Sequence, residues 1–293
     1  MKGSSFYPVL VAVILFNTFH ITSSLSAQSI WQDKNNDNSV SIEILKPEFS
    51  GYDDLTSISS AIFLSGRYSL KENLNIVGEI PIVQGGFVYY YYGSTGGVDH
   101  ALIGNPYVGV EIQKPKSHLS SELGLRFPLI NDQFSTTSHI GKYTDFDRYE
   151  AFQPHILSFT GKLNYYNKIA SNFFYRLRGG PTLWIYTKDY FDNSLDFIHY
   201  NSDSDDMDIW LDYSGQIIYK EEYLDIIGGF TGRFLTTEKN VNISDLTYHQ
   251  FGLAANAHFG IVSPGVNFRI PIDNKLSDVF EFVVGMNLSV QLP

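Results

Sequence analysis

The stretch Leu224–Leu235 reads LDIIGGFTGRFL, and Val279–Leu292 reads VFEFVVGMNLSVQL. In the first, Leu224, Ile226, Gly228, Phe230, Gly232 and Phe234 alternate with Asp225, Ile227, Gly229, Thr231, Arg233 and Leu235. In the second, Phe280, Phe282, Val284, Met286, Leu288, Val290 and Leu292 alternate with Glu281, Val283, Gly285, Asn287, Ser289 and Gln291. Successive side chains of a strand point to opposite faces, so each stretch predicts a strand with one apolar and one more polar face. A soluble sandwich turns the apolar face inward. A transmembrane barrel turns it outward to lipid and lines its interior with the other face.

The same period recurs along the chain and predicts twelve strands, at 39–46, 56–70, 73–84, 105–114, 117–128, 151–165, 170–187, 208–220, 222–237, 246–259, 261–272 and 279–292. Long and short connections alternate between them without exception. Lys71–Glu72, Pro115–Lys116, Tyr166–Ile169, Glu221 and Gly260 are short; Pro47–Leu55, Gly85–Gly104, Leu129–Glu150, Lys188–Met207, Thr236–Asp245 and Asp273–Asp278 are longer. With both ends of the strand set on the periplasmic side, every short turn is periplasmic and every longer loop faces outward, the asymmetry of outer-membrane barrels. The predicted fold is therefore all-β: a single closed antiparallel transmembrane barrel over 39–293, preceded by a periplasmic segment at 28–38. Closure also removes the exposed sheet edges.

Composition narrows the function. The 293 residues carry a net charge of −11 and no cysteine, with 20 Tyr, 22 Phe and 24 Gly. An acidic chain is a poor partner for nucleic acid, whose phosphates call for a basic face. Lacking cysteine, it is no disulfide-stapled scaffold. Residues 1–27 read as a secretory signal: Lys2, an apolar run over Val9–Phe16, then the small polar stretch Ser23–Ala27 with cleavage after Ala27 or Ser26. That run is too short for a spanning helix. Outer-membrane lipid and the barrel assembly machinery are the expected partners, in the outer membrane of a Gram-negative bacterium. The terminal Gln291-Leu292-Pro293 lacks the aromatic last residue on which many such barrels end.

Alternation assigns Arg67, Glu79, Glu111, Glu122, Arg126, Arg176, Arg178, Asp212, Asp225, Arg233, Arg269 and Glu281 to the lumen, with Glu43, Lys162 and Lys220 beside them. The two signs nearly balance. They make either an ion-pair ladder that fills the bore or a polar constriction that selects permeants. Arg176, Arg178 and Arg233 are expected to meet acidic partners there. Tyr89, Tyr90, Tyr91 and Tyr92 are expected at a loop mouth, as an interfacial girdle or as a receiver of aromatic solutes. The acidic run at 188–208 lacks the glycine and distal glutamate of an EF-hand loop, so a solvated loop is expected rather than a calcium site. No HExxH, GxSxG or metal-spaced histidine pair occurs. A non-enzymatic chain with no metal and no cofactor is expected. An acyl hydrolase using the adjacent Ser138-His139 is the remote alternative.

Glu79-Ile80-Pro81-Ile82, followed by a glycine-rich stretch and Ile103-Gly104-Asn105-Pro106-Tyr107-Val108-Gly109-Val110-Glu111, resembles the outer-membrane proteins of the phenol meta-pathway transporter family. The match is tight over about forty residues, and its motif is an E-x-P strand paired with a G-(N/D)-P-x-x-G entry to the next. The resemblance implies a barrel of about twelve strands that moves small, often hydrophobic, compounds across the outer membrane, and no catalytic site. A channel for small solutes, hydrophobic or aromatic ones among them, is the leading expectation. A structural or surface-binding barrel with a closed, charge-paired lumen is the second.

Overall fold

In a computed structural model the described residues are 29–32, 38–50, 59–91, 94–113, 117–130, 135–187, 207–237 and 242–293, side chains excepted at 87–99 and 135–136. The leader-like stretch 1–27, Tyr92, the side chains of Tyr89–Tyr91 and the acidic residues 188–206 lie outside that description.

Among the described residues thirteen strands form, all paired antiparallel: β1 (Ser39–Phe49), β2 (Ser60–Lys71), β3 (Leu74–Tyr91), β4 (Ser94–Ile103), β5 (Tyr107–Gln113), β6 (Leu119–Arg126), β7 (Ile156–Lys168), β8 (Phe173–Tyr186), β9 (Met207–Lys220), β10 (Leu224–Leu235), β11 (Thr247–Ala257), β12 (Val262–Pro271) and β13 (Phe280–Gln291). Each pairs with the next in sequence except β4 and β5, which both pair with β3, and β1 pairs with β13, so the sheet closes on itself. Twelve strands make the wall. The extra one, β4, comes from the expected long loop Gly85–Gly104. It pairs with β3 from Ile82↔Ile103 to Tyr91↔Ser94, and β5 takes over lower down, from Glu79↔Tyr107 to Leu74↔Ile112. Thus β4 and β5 are two pieces of one descending strand, broken at Gly104-Asn105-Pro106. At roughly 3.3 Å per residue, an 18-residue β3 runs about 60 Å along its own axis, and at a barrel tilt of about 40° it rises about 45 Å, beyond an apolar band about 25 Å tall.

That band runs round the outside. Every wall strand exposes large apolar side chains, from Val40 and Ile44 on β1 through Leu177 on β8 and Phe230 on β10 to Val284, Met286 and Leu288 on β13. A soluble monomer rarely shows more than a few hundred Å² of such surface; acyl chains suit a continuous belt. The inner face is the reverse, with Glu43, Arg67, Glu79, Glu111, Glu122, Arg126 and Arg269 all under 5% exposed. Among the described residues no helix is long and apolar enough to cross a membrane, which says nothing of a barrel.

One alternation slips. At the bulge between Glu48 and Phe49, Glu48 pairs with Phe282 and Phe49 with Phe280, so Glu281 is skipped. A bulge re-aims the side chains on either side of it. Phe280, expected outside, turns into the bore and is fully buried. Glu281, expected inside, is exposed at the rim.

Candidate functional site

The connection from β6 to β7, expected as an outer loop, folds down into the bore. It carries helix α1 (Ser135–Thr144) and a 3-10 turn, Phe146–Ala151. Its sequence explains this placement. Tyr143, Phe146, Tyr149 and Phe152 recur every third position, and all four are buried. Tyr149 stacks on Trp184 at 5.7 Å, Phe146 meets Tyr248 at 5.2 Å and Phe152 meets Phe63 edge-on at 5.7 Å. Leu45, Val83, Leu235 and Phe280 from the wall complete an apolar cap at the long-loop end. Ser138 and His139 belong to this plug: the Ser138 hydroxyl donates to the Phe152 carbonyl at 2.6 Å, and His139 lies on the Tyr143 ring.

Below the cap lies a layer of paired charge. Arg148 of the plug donates to Glu79 at 2.7 Å and to Glu43, and its guanidinium sits 3.5 Å over the Phe63 ring. The plug's Asp145 accepts from Arg148 at 2.6 Å and from Arg269 of β12 at 2.8 Å. Arg233 of β10 holds Glu150 of the plug at 2.9 Å and Asp212 of β9 at 2.7 Å, among the rings of Trp210, Trp184 and Phe146. Burial alone would push the Asp145 carboxyl up, but the Arg148 and Arg269 guanidiniums bring it below its ordinary value. Asp147 goes the other way, raised first by burial and then by the Asp145 carboxylate beside it. Burial works against the charge on Arg148, yet Asp145, Glu43 and Glu79 together hold it firmly protonated.

Asn105, at the break between β4 and β5, ties both ends of the plug. Its amide donates to the carbonyls of Glu150 at 3.0 Å and Gln153 at 2.7 Å, and accepts from the N–H groups of Leu129 at 2.9 Å and Ile130 at 3.1 Å. Two donors and two lone pairs are all a primary amide has. Gly104 lets the plug come this near: a Cβ there would stand 2.9 Å from the Phe152 ring.

The short-turn end is closed differently. Residues 29–32, from the stretch expected to be periplasmic, lie in the lower bore. Arg176 and Gln216 donate to the Ile30 carbonyl, and Trp31 is fully buried, its ring over Gly252, where a Cβ would stand 2.6 Å away. Between this floor and the plug remains a cavity of about 80 Å³, faced by Lys162, Arg178, Asp212 and Asp147. At about 10–15 Å³ per water, it has room for several.

The other lumen residues read from sequence sit on the inner wall. Arg67 pairs with Glu111 at 2.8 Å, Arg126 with Glu79 at 2.8 Å, Arg178 with Glu122 at 3.1 Å and Lys220 with Asp225 at 3.6 Å. Lys162 holds Asp212, and Tyr107 holds Glu122. Sequence reading missed Arg148, Asp145, Glu150, Asn105 and Trp31 as parts of the site. The three-residue recurrence of aromatics through 143–152, interleaved with charge, was the available signal.

No protein-family model matches the chain, and no curated protein does. Solved structures do. An outer membrane channel from Pseudomonas putida F1 superposes with a TM-score of 0.55 at 10% identity, over 92% of this chain and 100% of that one. The NanC porin does so with a TM-score of 0.50 at 9% identity, over 87% and 100%. The fold is the closed antiparallel barrel that these two outer-membrane proteins share. At such identities the likeness is one of architecture.

Proposed function

We propose that the chain is an outer-membrane channel for small solutes, held shut by its own 135–155 segment and not an enzyme. The observation that carries this reading is the way the bore is closed. The obstruction is a separate segment attached by side-chain hydrogen bonds and ion pairs, with a polar cavity beneath it. An apolar belt outside and a hydrogen-bonded interior suit a barrel inserted in lipid by the assembly machinery, with 1–27 as the leader that exports it. The charged lumen suits polar permeants better than hydrophobic ones, since displaced charges stay hydrated only by polar company.

Planar-bilayer recording of the purified chain tests this. Removing one partner of a buried ion pair costs roughly 3–5 kcal/mol, so Arg148→Ala is expected to free the plug. The wild type should be mostly closed with rare openings, and the variant should conduct steadily while keeping heat-modifiable migration. A folded variant that is as silent as the wild type would overturn the channel reading in favour of a closed structural barrel.

A further inference from the structure

Arg148 does not simply fill space in the bore. It occupies a receptor that the wall builds without the plug's help. Glu43 comes from β1, Phe63 from β2 and Glu79 from β3, three adjacent strands whose inner faces meet at this level. The Glu79 carboxylate takes one terminal nitrogen of the guanidinium at 2.7 Å and the Glu43 carboxylate takes the other. The Phe63 ring lies 3.5 Å beneath the guanidinium carbon. With Arg148 in place Glu43 and Glu79 are each 2% exposed and Phe63 is fully buried, so the bound guanidinium and both carboxylates are shielded from water. A planar cation with divergent N–H donors, flanked by two carboxylates over an aromatic face, is the arrangement that distinguishes guanidinium from ammonium. The wall offers both carboxylates some support from its own side: Arg126 holds Glu79 at 2.8 Å, and the Asn267 amide donates to Glu43 at 3.2 Å. Two carboxylate oxygens, Glu79 Oε2 and Glu43 Oε2, are spent on Arg148.

We propose that Glu43, Glu79 and Phe63 form a guanidinium-binding site, that Arg148 is its resident pseudo-ligand, and that permeants bearing a guanidinium group open the channel by competing for it. This rests on the reading of the bore as a conduit closed by a detachable plug. Binding and opening are one event here: a solute that takes the cage removes the plug's main ionic anchor. Solutes of the same charge but with an ammonium head lack the planar fork and gain less from the cage.

The test begins with the full-length Arg148→Ala protein in detergent, whose cage is vacated. Low-millimolar N-ethylguanidinium should raise its melting temperature, monitored by tryptophan fluorescence. Ethylammonium at the same ionic strength should need about tenfold more for the same shift, a difference of about 1.4 kcal/mol. Adding Phe63→Leu, which leaves both carboxylates in place, should abolish most of that discrimination. If Arg148→Ala does not fold, Arg148→Gln, which also removes the resident cation, serves instead, with the same preference expected. Equal responses to the two cations in a folded variant would overturn the proposal. In bilayers, L-arginine should raise the opening frequency of the wild type more than L-lysine does. Because the melting measurement needs no conductance, discrimination in detergent with silence in the bilayer would refute the channel and leave the cage. Conductance without discrimination would refute the cage and leave the channel.

Discussion

The two ends of the bore are shut by opposite means. At the long-loop end the closing segment is long and joined to the wall by buried ion pairs, with Asn105 tying both its flanks and an apolar cap above. At the short-turn end the described closure is residues 29–32, held by two donors on the Ile30 carbonyl, the Asn256 amide on the Trp31 carbonyl and the Trp31 ring over Gly252. The two closures touch where the Trp31 indole N–H donates to Asp147 at 3.3 Å. Charge-based closure is strong yet brittle, because removing one partner strands the other in a low-dielectric site. Closure by an aromatic ring fails gradually, in proportion to the area lost. The upper plug is thus built to respond to a competing charge and the lower one to simple displacement.

The largest expected effect comes from Asn105→Ala. It orphans two N–H groups and two carbonyls of the plug at once, each at about 1–3 kcal/mol when buried. Plug docking should fail altogether, seen as hydrogen exchange throughout 137–152 at the rate of an open loop, with the barrel wall still protected. Protection left intact there would show that the ion pairs alone hold the plug. Next comes Trp31→Ala, at roughly 3 kcal/mol for a buried indole. It should release residues 29–32 to limited proteolysis and leave the upper plug's exchange unchanged; loss of protection at both ends would mean that the two closures are one cooperative unit.

Acidity separates the two aspartates of the plug. The carboxyl of Asp145 is held below its ordinary 3.8, so its contribution is present above that value and is lost as pH falls through the lower folded one. For Asp147, raised above its ordinary 3.8, the contribution is full below that value and is lost as pH rises through the folded one. Asp147→Asn should therefore give a small rise in plug melting temperature at neutral pH that vanishes toward acid. A rise that persists unchanged into acid would refute the sign assigned to Asp147. The smallest effect is expected at the rim, where Lys275 and Asp245 pair at 3.0 Å while 44% and 39% exposed. Lys275→Ala should change stability by less than about 1 kcal/mol and leave conductance alone; a measurable gating change there would extend the charge-controlled region to the surface.

How far the sequence reaches differs between wall and contents. Strands β9 to β12 were legible to within a few residues, and so were the inward sides of Asp212, Asp225, Arg233 and Arg269, because alternation is a local property read over a few residues. Phe280 and Glu281 escaped it, since one bulged residue inverts the faces and leaves no mark on composition. The upper part of hairpin β3–β4, from Gly85 on, was read as loop because glycine and tyrosine there mimic a turn-rich stretch. Gly104-Asn105-Pro106 entered the sequence reading only as part of a strand-entry motif, and its part in tying the plug depends on backbone groups some 24 to 48 positions away.

By itself the sequence determined a closed barrel: a period of two repeated twelve times, an apolar face, a polar face, and turns that alternate in length. Only the tertiary structure decided what fills that barrel. Closing the sheet brings β1, β2 and β3 to one level and thereby makes a guanidinium cage of Glu43, Phe63 and Glu79. Folding the 135–155 segment inward then puts Arg148 in it, 69 residues from Glu79 and 105 from Glu43. Pairing across such separations is set by the geometry of closure, and no local period encodes it.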